Sequence, residues 1–392
     1  LASEPIRVLV LAPTPFFADR GCHVRILEEA RAAMACGVEL RLVTYHIGRD
    51  VPGIPTERIP GFSWYKKLEA GPSWVKPFLD VQLFFKAWKV AREFKPQVIH
   101  AHLHEGAFFG AFLKMVLRIP MLFDCQGSLT AEITDHGFVK PGSLLQRFFA
   151  TLERWINRSS DFIVTSASPT LELLLKDGVP KERVRALIDG VDTGTFAPQP
   201  KDEIRAKLGL PEKRPVVAYL GLMNSYQGMD LLLEAAAYLK GQGAKIHYLI
   251  MGFPDAPYRE KAEAMGIADI FTFTGRIPYD EAPLYLNAGD LAVSPKVSLT
   301  EANGKLFNYI ACGLPTVVFD TPVNREILGE AALYAKFGDP VDLAGAIGRL
   351  AGDSELREEI GAEGRERAVN LHSWQTRGRE LSEIYRELVG NR

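Results

Sequence analysis

Short β-branched, apolar runs alternate with longer amphipathic stretches over almost the whole chain, and the alternation happens twice. In the first series residues 6–11, 39–44, 97–102, 120–124 and 161–165 read as strands, and apolar residues recur at helical spacing over 24–35, 107–117 and 144–157. A strand apolar at consecutive positions is covered on both faces, and parallel strands need a crossover between them. The pattern therefore predicts a parallel sheet with helices on both sides. It breaks at Asp189-Gly190-Val191-Asp192 and Phe196-Ala197-Pro198-Gln199-Pro200, where Gly and Pro mark a linker. A second series then begins, with strands at 215–220, 245–251, 270–274, 291–295 and 315–319, and residues 343–388 read as helical throughout. The expected fold is α/β: two Rossmann-like, doubly wound domains over 1–192 and 193–373.

The 392 residues leave room for two cores, and 47% hydrophobic with 24% charged residues is ordinary for a globular enzyme. A formal net charge of −2 argues against a nucleic-acid binder. Residues 1–190 carry about +4 and the rest about −6, either a small chance imbalance or a first half that faces something anionic. Cys22, Cys36, Cys125 and Cys312 are scattered, with no Cys-x-x-Cys pair, which fits reduced thiols better than a zinc site. The first apolar run, residues 6–12, is too short to span a bilayer and lacks a signal-peptide layout, and no other run reaches the roughly 18 residues required. A cytoplasmic protein is expected.

Ligands of doubly wound sheets bind at the carboxyl ends of strands. Three strand-to-helix turns are candidates. The first, residues 13–22, has Gly21 just before a helix, where amides can approach an anion. The second runs Thr300-Glu301-Ala302-Asn303-Gly304-Lys305-Leu306-Phe307-Asn308-Tyr309-Ile310-Ala311-Cys312-Gly313-Leu314-Pro315. Asn303 is placed to cap a helix whose first turn offers the Gly304, Lys305 and Leu306 amides and the Lys305 cation to a diphosphate. An ordinary capped helix with a surface lysine is the plainer alternative. The third is Tyr219-Leu220-Gly221-Leu222-Met223-Asn224-Ser225-Tyr226-Gln227-Gly228-Met229-Asp230.

These segments, with Gly190-Val191-Asp192 and Phe273-Thr274-Gly275-Arg276-Ile277, make nearly the whole chain resemble the family-4 retaining glycosyltransferases of GT-B fold. The most specific match is the run from Lys305 to Pro315. The resemblance implies that the C-terminal domain holds a nucleotide-sugar and the N-terminal domain an acceptor, in a cleft between them. It also implies that a last helix, within 374–392, crosses back to the first domain. Gly21, Gly221, Gln227, Arg276, Asn303, Gly304, Lys305, Leu306 and Asn308 become nucleotide-sugar-binding candidates. The resemblance places His102 near the transferred sugar and Glu301 on its hydroxyls, as the catalytic pair. The chain departs from the pattern where family members carry Arg and Lys on the diphosphate; Leu222 and Gln227 stand there, in a variant branch with a Tyr-Gln-Gly loop. The usual pair of carboxylates is also one residue short, with Asn308 at the second position. Lys305 is left to replace part of the lost charge.

No Asp-x-Asp pair occurs to hold a bridging cation, so no metal and no cofactor beyond the nucleotide-sugar co-substrate is expected. His100, His102 and His104 would face one way on an extended chain, but no further ligand cluster supports a zinc site. Trp74, Phe78, Val81, Phe85 and Trp88 share a helical face that either packs on its own sheet or docks on an anionic membrane. The expected function is a metal-independent, retaining transfer of a hexose from a UDP- or GDP-linked donor to a glycan, lipid or small-molecule acceptor. The protein would be cytoplasmic, with peripheral membrane contact at the cytoplasmic face. The alternative is a catalytically weak nucleotide-sugar-binding or scaffold protein of the same fold, kept open by Leu222 and Gln227.

Overall fold

The computed structural model of the chain describes residues 4–18, 21–62, 65, 75–135, 138–299 and 303–390. They divide into two compact units, one of residues 4–189 with 374–390, the other of residues 190–299 with 303–373.

The first unit contains strands β1 (Arg7–Ala12), β2 (Glu39–Thr44), β3 (Thr56–Arg58), β4 (Val98–His102), β5 (Met121–Cys125), β6 (Phe162–Thr165) and β7 (Val184–Ala186). They form one parallel sheet in the order β3-β2-β1-β4-β5-β6-β7. Helices α1 (Gly21–Ala35), α2 (Lys76–Phe94), α3 (Leu103–Leu117), α4 (Leu129–Asp135), α5 (Leu144–Ser159) and α6 (Ser168–Lys176) intervene. β4 and β5 are buried along their whole length, His100, His102 and Asp124 included, as strands between two helical layers must be. The edge strands β3 and β7 have no apolar run to announce them: β3 is Thr56-Glu57-Arg58, paired on one side only.

The second unit repeats the scheme with α7 (Asp202–Leu208), β8 (Val216–Leu220), α8 (Met229–Gly241), β9 (His247–Met251), α9 (Ala256–Ala264), β10 (Phe271–Gly275), α10 (Ala282–Leu286), β11 (Leu291–Ser294), α11 (Lys305–Ala311), β12 (Thr316–Phe319), α12 (Pro322–Leu328) and β13 (Ala332–Ala335). Its parallel sheet runs β10-β9-β8-β11-β12-β13. The C-terminal helical stretch is not continuous: it divides into α13 (Pro340–Gly352), α14 (Ser354–Leu371) and α15 (Trp374–Gly390). Asp353 makes the first break, its carboxylate capping the Leu356 amide at 3.0 Å. α15 belongs to the first unit and lies on α1. Gly378 sets that contact, because a Cβ there would come within 2.6 Å of the Ala32 carbonyl oxygen.

In each unit the strand order reverses beside the first strand, between β1 and β4 and between β8 and β11. Adjacent loops there leave in opposite directions, which opens a crevice at the carboxyl ends.

Candidate active site

In the second unit, Tyr309 of α11 fits between the two strands at the switch point. Its hydroxyl accepts from the Leu220 amide at 2.8 Å and donates toward the Val293 carbonyl at 3.4 Å. Lys305 lies one helical turn earlier on the same face. Its ammonium donates to the Gln227 side-chain oxygen at 2.8 Å, approaches the Tyr219 hydroxyl at 3.4 Å, and lies 4.5 Å from the Tyr219 ring centre. Every one of these partners is neutral. Burial, with repulsion from Lys296, pushes the Lys305 ammonium down to about 7.

Glycines bring the loops this close. A Cβ on Gly221 would lie 3.0 Å from the Lys305 ammonium, one on Gly252 1.9 Å from the Gly221 carbonyl oxygen, and one on Gly228 1.9 Å from that of Pro295. Gly221 and Gly228 also have positive φ, of 143° and 77°. The loop after β8 is further tied to the segment after β11 by the Val297 amide, which donates to the Tyr226 carbonyl at 2.9 Å.

Asn303 does not cap α11 through its side chain. Its amide donates to Ser294 Oγ and Asn324 Oδ1, both at 3.1 Å, and so fixes the approach to the helix. Gly304 is the capping residue, and the Leu306 amide already donates to the Asn303 carbonyl at 3.0 Å. Among the three residues of this turn it is therefore the lysine side chain that offers the charge. Asn308 is half-buried further along α11. Arg276 is exposed after β10 and lies over the Phe253 ring at 4.2 Å, two strands away from the switch point. Glu301 lies outside the described residues, and Gly21 opens α1.

In the first unit, His102 ends β4 at the other switch point, but its ring is only 1% exposed. Nδ1 is 2.9 Å from Asp124 Oδ2, at the end of the neighbouring β5. Arg25 from α1 grips the same carboxylate at 2.7 and 3.0 Å, and reaches Glu29 at 2.8 Å and Asp189. Burial would raise Asp124, yet Arg25 and His102 outweigh it and hold the carboxyl well below the usual range. An ionised Asp124 can only accept, so the proton of this bond sits on His102 Nδ1. Burial pushes Glu29 the other way, well above the usual range, with Arg25 only partly opposing it. Gln126, half-buried just beyond β5, donates its amide to Asp124 Oδ2 at 2.7 Å.

Asp124 is thus a carboxylate beside His102 that the sequence reading missed. The available signal was one acidic residue inside an otherwise apolar strand, Met121-Leu122-Phe123-Asp124-Cys125. Held ionised by Arg25, it is a poor base and serves to orient the imidazole.

The three histidines do not line up, because β4 ends at His102. His104 is already helical and stands 3.6 Å from Glu153. Glu29, His100 and His102 do bring ligand atoms within 4.8 Å of one another. However, His100 gives Nδ1 to the Tyr385 hydroxyl of α15 at 2.8 Å and turns Nε2 toward Glu29 at 3.7 Å, while Arg25 lies 2.8 Å from Glu29, a cation where a metal ion would need the carboxylate. The donor set suits a buried hydrogen-bond network better than a metal.

Residues 20–190 match the family described as Glycosyl transferase 4-like domain, and residues 200–367 match Glycosyl transferases group 1. Over 96% of its length the chain is 28% identical to a 2-deoxystreptamine N-acetyl-D-glucosaminyltransferase of Streptomyces fradiae, 93% of which is covered. Over 95% it is 26% identical to a D-inositol 3-phosphate glycosyltransferase of Acidothermus cellulolyticus, 86% covered. In fold it is similar to a sucrose-phosphate synthase from Thermosynechococcus elongatus, with a TM-score of 0.83 and 19% identity over 99% of this chain and all of the other. It is also similar to HepE of Anabaena, solved with UDP and glucose, with a TM-score of 0.78 and 17% identity over 97% and 99% of the two chains.

Proposed function

Because the chain belongs to the GT-B glycosyltransferases related to family 4, we propose that it moves a hexose from a UDP- or GDP-linked donor to an acceptor hydroxyl, with retention of configuration and without a metal ion. In this reading the second unit holds the nucleotide-sugar and the first unit the acceptor. The observation that carries it is Lys305. The loop after β8 lacks the family's Arg and Lys, but a lysine from α11 is delivered into the same loop, against Gly221 and Gln227. That delivery favours an active enzyme over a scaffold that has lost its diphosphate cations. HepE holding UDP and glucose on a similar fold is consistent with a nucleotide-sugar donor.

The diphosphate would lie against Gly304, Lys305 and the Gly221 loop, with Arg276 toward the nucleoside, Asn308 on a ribose hydroxyl, and Glu301 on the sugar. The acceptor attacks from the face carrying the leaving phosphate, and a departing phosphate oxygen takes its proton. No enzymic nucleophile is required, only stabilisation of an oxocarbenium-like sugar and of the leaving group. His102, aligned by Asp124, would orient the sugar through a hydroxyl or a backbone carbonyl.

Among the described residues no helix is long and apolar enough to cross a membrane. We further propose peripheral binding at the cytoplasmic face. Trp74 lies outside the described residues, but Phe78, Val81, Phe85 and Trp88 of α2 are exposed rather than packed on the sheet. Met115 and Val116 of α3, Leu144 and Phe148 of α5, and the basic Lys89 and Arg92 of α2 are exposed as well. A lipid or lipid-linked acceptor would suit such a face.

The deciding experiment is a thermal-shift panel of UDP, GDP, ADP and their sugars, followed by proton NMR of the product. A saturating ligand at 100 times its dissociation constant adds about 2.7 kcal/mol of stability. No shift with any nucleotide, or an inverted product from an α-linked donor, would remove the proposal.

A further inference from the structure

His100 and His102 stand two residues apart on β4, so the pleat turns both side chains to the same face of the sheet. Their ring centres lie 4.3 Å apart, with the planes inclined at 36°. Both rings are buried, and so are Glu29 of α1 and Tyr385 of α15, which meet His100 on that face. The Asp124 bond to Nδ1 fixes one atom of the His102 ring. It leaves the imidazole free to swing about that contact, because χ2 of a histidine has broad wells. The His100 ring closes one side of that swing.

His100 can act as a stop only if it is itself held. Its Nε2 makes no hydrogen bond and lies 3.7 Å from Glu29. Among the described residues, the one side-chain hydrogen bond on its ring joins Nδ1 to the Tyr385 hydroxyl at 2.8 Å, across 285 positions of the chain. The two rings also meet at 67°, with centres 5.8 Å apart. Burial, helped by His102 and Arg25, pushes His100 well below the usual imidazole range, and burial pushes Tyr385 well above its own, so both groups stay neutral. A valine or leucine at position 100 would fill the same place with no polar group to satisfy, whereas a buried imidazole costs stability unless it is bonded. We propose that Tyr385 is a positioning residue for the transfer: by holding His100, it fixes the His102 ring from the side that Asp124 leaves open. This rests on the reading of His102 as the group that orients the sugar, and it gives α15 a part in the reaction beyond its packing on α1.

The test is a double-mutant cycle of Tyr385→Phe and His102→Ala. Turnover is read as nucleoside diphosphate released from the UDP- or GDP-linked hexose selected in the thermal-shift panel, with water as acceptor, and nucleotide affinity by calorimetry. Tyr385→Phe keeps the ring and removes only the hydroxyl. It should lower kcat by about tenfold in the wild-type background, leave nucleotide affinity within about twofold, and change kcat by less than about twofold once His102 is alanine. His100→Asn should behave alike, since it removes the ring that faces His102. An unchanged kcat in Tyr385→Phe, an equal loss in both backgrounds, or a parallel loss of nucleotide affinity would overturn the role of Tyr385 and leave its bond as support for α15 alone. Wild-type turnover in His102→Ala would remove the His102 reading, and no release from any donor by the wild-type protein would remove the proposed function; either takes the role of Tyr385 with it. Thermal unfolding checks the variants. Should Tyr385→Phe not fold, His100→Asn goes through the same cycle with the same outcomes deciding, and failure of both to fold makes the contact packing and overturns the proposal.

Discussion

The Lys305 ammonium donates to Gln227 Oε1 at 2.8 Å, so the first turn of α11 delivers a cation into the loop after β8. Gly221 leaves that cation space, since a Cβ there would lie 3.0 Å from it. Lys305→Ala should therefore weaken nucleotide diphosphate binding by about ten- to a hundredfold, the loss of one charge-assisted contact in a buried site. Calorimetry with the best-binding nucleotide measures it, and an unchanged dissociation constant would detach Lys305 from the donor.

Protonation should be coupled to that binding. In the free protein Lys305 is held at about 7 by burial and by Lys296, and phosphate oxygens would raise it again. Below about 7 the lysine is charged in both states and affinity is flat. Between that value and the raised one, binding takes up a proton, so affinity falls as pH rises. At pH 8, titrations in buffers of different ionisation heat should reveal uptake of up to about one proton, absent from Lys305→Met.

The first unit predicts a different signature. If His102 orients the sugar as proposed, His102→Ala should lower turnover by about a hundredfold while nucleotide affinity changes little. Asp124→Asn should follow the same split, because an amide cannot hold the Nδ1 proton as a carboxylate does. It should also cost on the order of 3 kcal/mol of stability by weakening the pairing of buried Arg25. Equal effects on kcat and nucleotide Kd would mean that this network only supports the fold.

Excess chelator should leave turnover unchanged. The charges near the candidate donor site come from lysines, and the Arg25 guanidinium, 2.8 Å from Glu29 and 2.7 Å from Asp124, puts a cation into the Glu29–His100–His102 cluster already. Loss of activity in EDTA, restored by manganese or magnesium, would contradict this.

Flotation with anionic vesicles should recover the protein at low salt and release it as salt screens the basic residues. Trp88→Ser with Phe85→Ser should abolish recovery without altering thermal stability, as both side chains are exposed. Equal partition into neutral and anionic vesicles would show that charge plays no part.

Period and turn chemistry are local properties, so the sequence alone determined most of the secondary structure and the two sheets. Unbroken apolar runs such as Val8–Leu9–Val10–Leu11–Ala12 require cover on both faces, and Gly190 with Pro198 and Pro200 announces the change of unit. The three-residue edges β3 and β7 escaped because a strand paired on one side needs no apolar pattern. Lys305 was legible because its motif is contiguous in the chain. Asp124 and Arg25 were not, because their meaning depends on residues far away: Arg25 meets Asp124 across 99 positions. Only the tertiary structure decided which charges share one low-dielectric space. That sharing fixes which carboxyl stays ionised and which lysine loses its proton easily.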